Sequence, residues 1–269
     1  MKKIITLLIL VSLFALPVMA KGSKITIAGS TTVLPIAQAT AETFMDMNPT
    51  VNISVRGGGS SVGIASIIAG TADIGDASRH IKTKEIAQAR ENGINPYENI
   101  VANDGIAVVV NNSNSINALT LPQLKAIYTG EIKNWKDLGG PNQAIVIISR
   151  DVSSGTFEVF NSLVLAGAKV ADGSLMLASN NAVAATVGNT PGAVGYIGLG
   201  YMTDKIKAIP MDGIMPTKET IQSKEYPIAR TLHMYTNGTP KGLVKDYIDF
   251  ILSPEGQEIV EQQGFISVK

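Results

Sequence analysis

Beyond an apolar opening, the chain repeats one rhythm: a short β-prone stretch, a loop of small polar residues, then apolar positions at helical spacing. Residues 24–28 predict a first strand that runs into Gly29, Ser30, Thr31 and Thr32. A helix to about residue 47 follows, with Pro35 early in it and Ala37, Ala41, Phe44 and Met45 on one face. Asn48 and Pro49 end it, and residues 51–55 form a second strand. Residues 56–61, rich in Gly and Ser, lead to a helix closed by Gly70. Residues 72–75 read as a short strand or turn, 82–92 as a polar surface helix, and 105–111 as a buried strand. Thr120 caps a short helix to residue 128, residues 144–149 and 192–199 are strands, and 156–165 is a helix. Two helices, 241–252 and 254–263, close the chain, the second capped by Ser253 and stopped by Gly264. Strands alternating with helices predict an α/β fold with mainly parallel sheets. No fixed-period repeat or low-complexity linker occurs, so a two-lobe division must be made by strands crossing between lobes.

The first twenty residues stand apart. Lys2 and Lys3 precede an apolar run from Ile4 to Leu16, and Val18 and Ala20 supply small residues for cleavage after Ala20. That pattern is a secretory signal peptide, and its run is shorter than the roughly 20 apolar residues a membrane anchor needs. No Cys follows the cut, which excludes a lipid anchor on a mature N-terminal Cys. The expectation is a periplasmic or otherwise extracytoplasmic protein whose mature chain does not insert into the membrane. Cleavage leaves 20 basic against 22 acidic residues, a net charge of −2, so no overall field favours nucleic acid. The absence of cysteine removes disulfides, thiolate metal sites and Cys nucleophiles.

Candidate chemistry lies in three loops of similar design, each between a strand and a helix: Gly29 to Thr32, Gly59 to Ser61, and Ser153 to Thr156. A helix start leaves backbone N–H groups unpaired and carries partial positive charge, so it accepts an anion without needing a Lys. Ser and Thr hydroxyls add neutral donors. Arg150, just ahead of the third loop, adds a planar cation able to grip two oxygens. Ordinary helix capping explains any one loop; three together, one beside an Arg, point to a small oxyanion. Neither the G-x-x-x-x-G-K-[ST] nucleotide loop nor the G-x-G-x-x-G fingerprint occurs.

The segments from Ala28 to Thr32, Gly59 to Ser61, Ala72 to Gly75, Arg150 to Thr156, Pro191 to Tyr196 and Phe250 to Gly256 resemble, in order, the phosphate-binding proteins of ABC phosphate importers, the PstS type. The resemblance implies a two-lobe, periplasmic-binding-protein-like (type II) fold with the ligand cleft between lobes. It implies closure around inorganic phosphate and delivery to a membrane-embedded ABC permease. It places residues such as Thr31, Thr32, Ser60, Arg150, Ser154, Gly155 and Thr156 on the anion; Ser30 and Ser61 join them as members of the same loops. Many members carry an Asp where this chain has Ser78 and Arg79, so both enter as candidates, Arg79 as a second cation. A carboxylate matters because phosphate carries a proton near neutral pH and sulfate does not. Asp104, with Asp76 behind it, is the candidate acceptor; Asp151 is expected to orient Arg150.

The resulting division is a signal peptide over 1–20, lobe 1 over 21–104 and 203–269, crossing strands at 105–111 and 196–200, and lobe 2 over 112–195. No catalytic residue, cofactor or metal is expected, and the chain is expected to act as a monomer. Three alternatives stay open: another oxyanion such as sulfate, molybdate or tungstate; a sensing role; and a serine hydrolase. The last rests on Gly59-Ser60-Ser61-Val62-Gly63, which matches the G-x-S-x-G elbow with Ser61 as nucleophile. His80 and His233, the only histidines, are too few for a three-His metal site and read as surface or capping residues. Trp135 reads as packing.

Overall fold

The computed structural model describes residues 23–268, so the expected signal peptide lies outside the described residues. The elements run β1 (Ser23–Gly29), α1 (Leu34–Met47), β2 (Val51–Gly57), α2 (Ser60–Ile68), β3 (Ile74–Ala77), α3 (Thr83–Glu91) and β4 (Pro96–Asn111). They continue α4 (Leu121–Tyr128), β5 (Val146–Arg150), α5 (Gly155–Phe160), β6 (Leu175–Leu177), α6 (Asn180–Gly188) and β7 (Ala193–Gly198). The last are β8 (Ile206–Ala208), α7 (Lys218–Gln222), β9 (Ala229–Asn237), α8 (Gly242–Ile251) and α9 (Pro254–Gln262).

The strands order as β2-β1-β3-β9-β4-β7-β5-β6, with β8 also on β4. The outer pairs are parallel: β1 with β2 and β3, and β5 with β6 and β7. The centre is antiparallel, which corrects the expectation of mainly parallel sheets: β9 pairs antiparallel with β3 and β4, and β4 with β7 and β8. β4 joins the two halves. Its first part pairs with β9 from Pro96 to Gly105, and its second with β7 from Ile106 to Val110. Only that second part is legible in the sequence as strand. From Asp104 to Val110 it is buried on both faces, which requires the near-continuous apolar run it carries.

Two main cores flank this sheet. One gathers Ile25, Ile27, Val33 and Ile36 with Leu232, Met234 and Tyr247. The other gathers Leu124, Tyr128, Trp135 and Phe160 with Tyr196, Ile209, Ile221 and Tyr226. Residues 206–228, expected from sequence in lobe 1, pack largely with the second half, because β8 pairs with β4 there. Trp135 is buried and its Nε1 donates to the Gly192 carbonyl, 3.0 Å away. No helix among the described residues is long and apolar enough to cross a membrane.

Candidate oxyanion site

The three loops converge where the two halves meet. At the first, the Ser30 hydroxyl accepts from the N–H of Thr32, turning the chain into α1. At the third, Ser154 caps α5, its Oγ accepting from the Phe157 N–H. Direct contacts join the loops. Thr32 Oγ1 lies 3.0 Å from Thr156 Oγ1. Ser60 Oγ lies 3.2 Å from Ser78 Oγ and accepts from the Ser78 N–H. The Ser61 N–H donates to the Ser153 carbonyl. A Cβ on Gly155 would stand 2.3 Å from Ser60 Oγ and 2.8 Å from Ser78 Oγ, so glycine there lets the second and third loops meet. Ser30, Thr32, Ser60, Ser78, Ser154 and Thr156 are all buried, and Thr31 is at the edge of burial.

Arg150 ends β5 beneath this cluster, 1 % exposed. Its Nε donates to the Leu177 carbonyl at 3.1 Å, and its Nη2 to the Ala178 carbonyl and Thr31 Oγ1, both at 3.0 Å. Its Nη1 is buried with no hydrogen-bond partner. Burial pulls this guanidinium down to about 10, partly offset by Tyr196 and Asp151, so it remains charged at neutral pH. A buried charged donor left unpartnered is costly, and an anion accepting from it removes the cost.

Two further residues that reach the cluster carry no sequence signal. Arg230, near the start of β9, donates from Nη1 to Thr156 Oγ1 at 3.0 Å and to the Ser78 carbonyl. Its Nε and Nη2 reach Asp104 Oδ2 at 2.9 and 2.7 Å. Asn180, opening α6, donates to Thr32 Oγ1 at 3.0 Å and accepts from the Gly198 N–H.

Arg79 goes elsewhere. It forks onto Glu85 at 2.8 Å, lies 3.0 Å from Glu158, and donates to Ser61. Its charge is thus spent on two carboxylates, and the second guanidinium among the loop hydroxyls belongs to Arg230. Asp104, fully buried, sits at the cluster; its Oδ1 accepts from the Leu199 N–H, and burial raises it despite Arg230. Asp76 is buried on β3 and its Oδ1 has no hydrogen-bond partner. Asp151 does not hold Arg150 by a hydrogen bond; its Oδ1 accepts from the Ser153 N–H and hydroxyl and shapes the loop. Ser61 Oγ donates to Glu158 rather than facing a histidine, and both histidines lie against Glu98, which leaves the hydrolase elbow without its base.

Two halves joined by a continuing strand, with small polar loops and buried cations meeting between them, define a solute-binding receptor rather than an enzyme. Residues 19–255 match the PBP superfamily domain, and the chain belongs to that superfamily. Within it the chain is a member of the PstS phosphate-binding protein family. It is 38% identical over 251 residues to phosphate-binding protein PstS of Bacillus subtilis, covering 93% of this chain and 82% of that one. It is 33% identical to the PstS of Borreliella burgdorferi across the whole of both. A solved structure from Clostridium perfringens, described as a putative phosphate ABC transporter substrate-binding protein with bound phosphate, is 36% identical with a TM-score of 0.85. It covers 92% of this chain and all of that one.

Proposed function

We propose that this chain captures inorganic phosphate outside the cytoplasm and delivers it to a membrane-embedded ABC permease. The observation that carries the reading is Arg150: a buried guanidinium with one donor unpartnered, beside Thr31 and the hydroxyls gathered from three loops. Family membership supports it. Thr31, Thr32, Ser60, Ser78, Ser154 and Thr156 supply neutral donors, with Gly155 admitting close approach. Arg150 and Arg230 supply charge, and Asp104 holds Arg230 and accepts the proton that phosphate carries. Loops from both halves touch in this conformation, which supports a cleft that closes on its ligand.

In this reading lobe 1 comprises β1 to β3, the first part of β4, β9 and the C-terminal helices. Lobe 2 is the intervening chain to about residue 228. The first twenty residues direct export and are cut after Ala20, and the mature protein works as a monomer free of nucleic acid. Arg150→Ala tests the assignment by calorimetry. Affinity for phosphate should fall at least about a hundredfold, as expected for losing a charge-assisted donor of about 3 kcal/mol. The fold, read by circular dichroism, should persist. Unchanged affinity would remove Arg150 from the site.

A further inference from the structure

The two histidines, far apart in sequence and read there as surface or capping residues, meet on one side of the central sheet, His80 exposed and His233 buried. His80 follows β3, Glu98 lies on β4, and His233 lies on β9 between them. His233 pairs with Ala77 on one side and Ile100 on the other. His80 Nδ1 is 2.9 Å from Glu98 Oε1, and His233 Nδ1 is 3.1 Å from the same oxygen. The imidazole centroids stand 4.6 Å apart, and the donor atoms all lie within 4.8 Å of one another.

His233 is held by an aligned hydrogen bond at one ring nitrogen only. The residue is 0% exposed, and its Nε2 lies 2.9 Å from Thr231 Oγ1. Its Nδ1 is buried without an aligned hydrogen-bond partner despite the nearby carboxylate. Glu98 Oε1 meanwhile accepts from the Tyr235 hydroxyl. In the tautomer that carries its proton on Nε2, with Thr231 accepting, Nδ1 turns a lone pair toward a carboxylate oxygen. Two such lone pairs repel, and a cation between them reverses the sign. Tetrahedral donors at roughly 2.0–2.2 Å from a metal stand about 3.3 Å apart, close to the 2.9 and 3.1 Å that separate the two imidazole nitrogens from Glu98.

The geometry points to a divalent transition-metal site of the zinc class, built from His80, Glu98 and His233 with a fourth position open to water. Two imidazoles and one carboxylate are borderline donors, suited to zinc and its neighbours rather than to magnesium or calcium. Thr231 and Tyr235 are the outer partners that orient the buried imidazole and the carboxylate. A cleft of about 380 Å³ lined by both histidines gives an ion access. The cations nearby are already opposed: Arg79 by Glu85 and Glu158, Lys82 by Glu158, and Arg230 by Asp104. All three ligands come from the first half of the sheet, so the site stands independently of phosphate capture. A bound ion ties together β4 and β9 with the chain leaving β3, just beyond Ser78 and Arg230.

The test titrates tag-free, metal-stripped protein with Zn²⁺ alone in phosphate-free buffer, by calorimetry and by thermal unfolding. One ion per chain and a raised unfolding midpoint are expected. His80 is exposed, so His80→Ala should leave the metal-free midpoint unchanged while lowering affinity at least about tenfold; Glu98→Gln should also weaken binding at least about tenfold. With Cu²⁺ as probe, electron paramagnetic resonance should show two coordinated imidazole nitrogens in the parent and one in His80→Ala. The absence of one-to-one binding, or Zn²⁺ affinity unaltered in either variant, would overturn the site.

Discussion

Arg230→Met isolates the pair that holds the floor of the oxyanion site. Arg230 and Asp104 are both buried and meet through two donors at 2.9 and 2.7 Å. Burial pushes the Asp104 carboxyl up and the Arg230 guanidinium down, so their attraction offsets desolvation without much surplus. Removing one partner leaves the other charge buried and alone, at a cost of about 3–5 kcal/mol. The carboxyl escapes by taking a proton. At pH 7 that escape costs about 4 kcal/mol, since an unfolded Asp titrates near 3.9 and each pH unit is worth about 1.4 kcal/mol. Both routes give the same size, and for a chain of this length it lowers the unfolding midpoint by roughly 8–16 °C. The sign with pH follows. In the variant the folded carboxyl titrates higher than the unfolded one, so stability rises as pH falls, by up to about 1.4 kcal/mol per unit between pH 7 and 5. Asp104→Asn in the same chain removes the stranded charge and should restore more than half of the loss. Urea unfolding of the parent, both single variants and the double at pH 5, 6 and 7 measures all of this. Additive single losses at pH 7, or a deficit independent of pH, would show that Asp104 and Arg230 do not depend on each other.

Two other substitutions test separate features of the molecule. Gly155→Ala places a methyl 2.3 Å from Ser60 Oγ and should cost about 1–3 kcal/mol of stability by overpacking, with at least a tenfold loss of phosphate affinity by calorimetry. Asp76 is buried and its carboxyl is raised well above the ordinary range by burial alone. Its folded form keeps a proton that the unfolded chain loses, so stability should decline as pH rises from about 4. Asp76→Asn should flatten that decline in urea unfolding, and an unchanged slope would place its origin elsewhere.

The three loops were legible because Gly, Ser and Thr between a β-prone run and a helical pattern carry their chemistry locally. Arg150 was legible by standing beside one of them. Arg230 was not, since it stands near the start of a strand that shows no alternation of buried and exposed positions. Leu232, His233, Met234, Tyr235 and Thr236 are buried in succession there. Asn180 opens a helix whose Ala and Val content gives only a weak apolar face. The first half of β4 was missed because its polar residues are held by β9, a partner more than a hundred positions away. The ion pairs of Arg79 were not legible for the complementary reason: the carboxylates it meets, Glu85 and Glu158, lie on two different helices. The convergence of His80, Glu98 and His233 is likewise a product of strand order, which no local spacing records.

Phosphate binding should reside in the buried cluster around Arg150. Calorimetric titration of the ligand-stripped protein at pH 7 with phosphate, and separately with sulfate, tests it most directly. One saturable site is expected for phosphate at about 1 μM or tighter, equivalent to about −8 kcal/mol, with sulfate at least tenfold weaker. No saturable heat with phosphate, or sulfate binding as tightly, would contradict it.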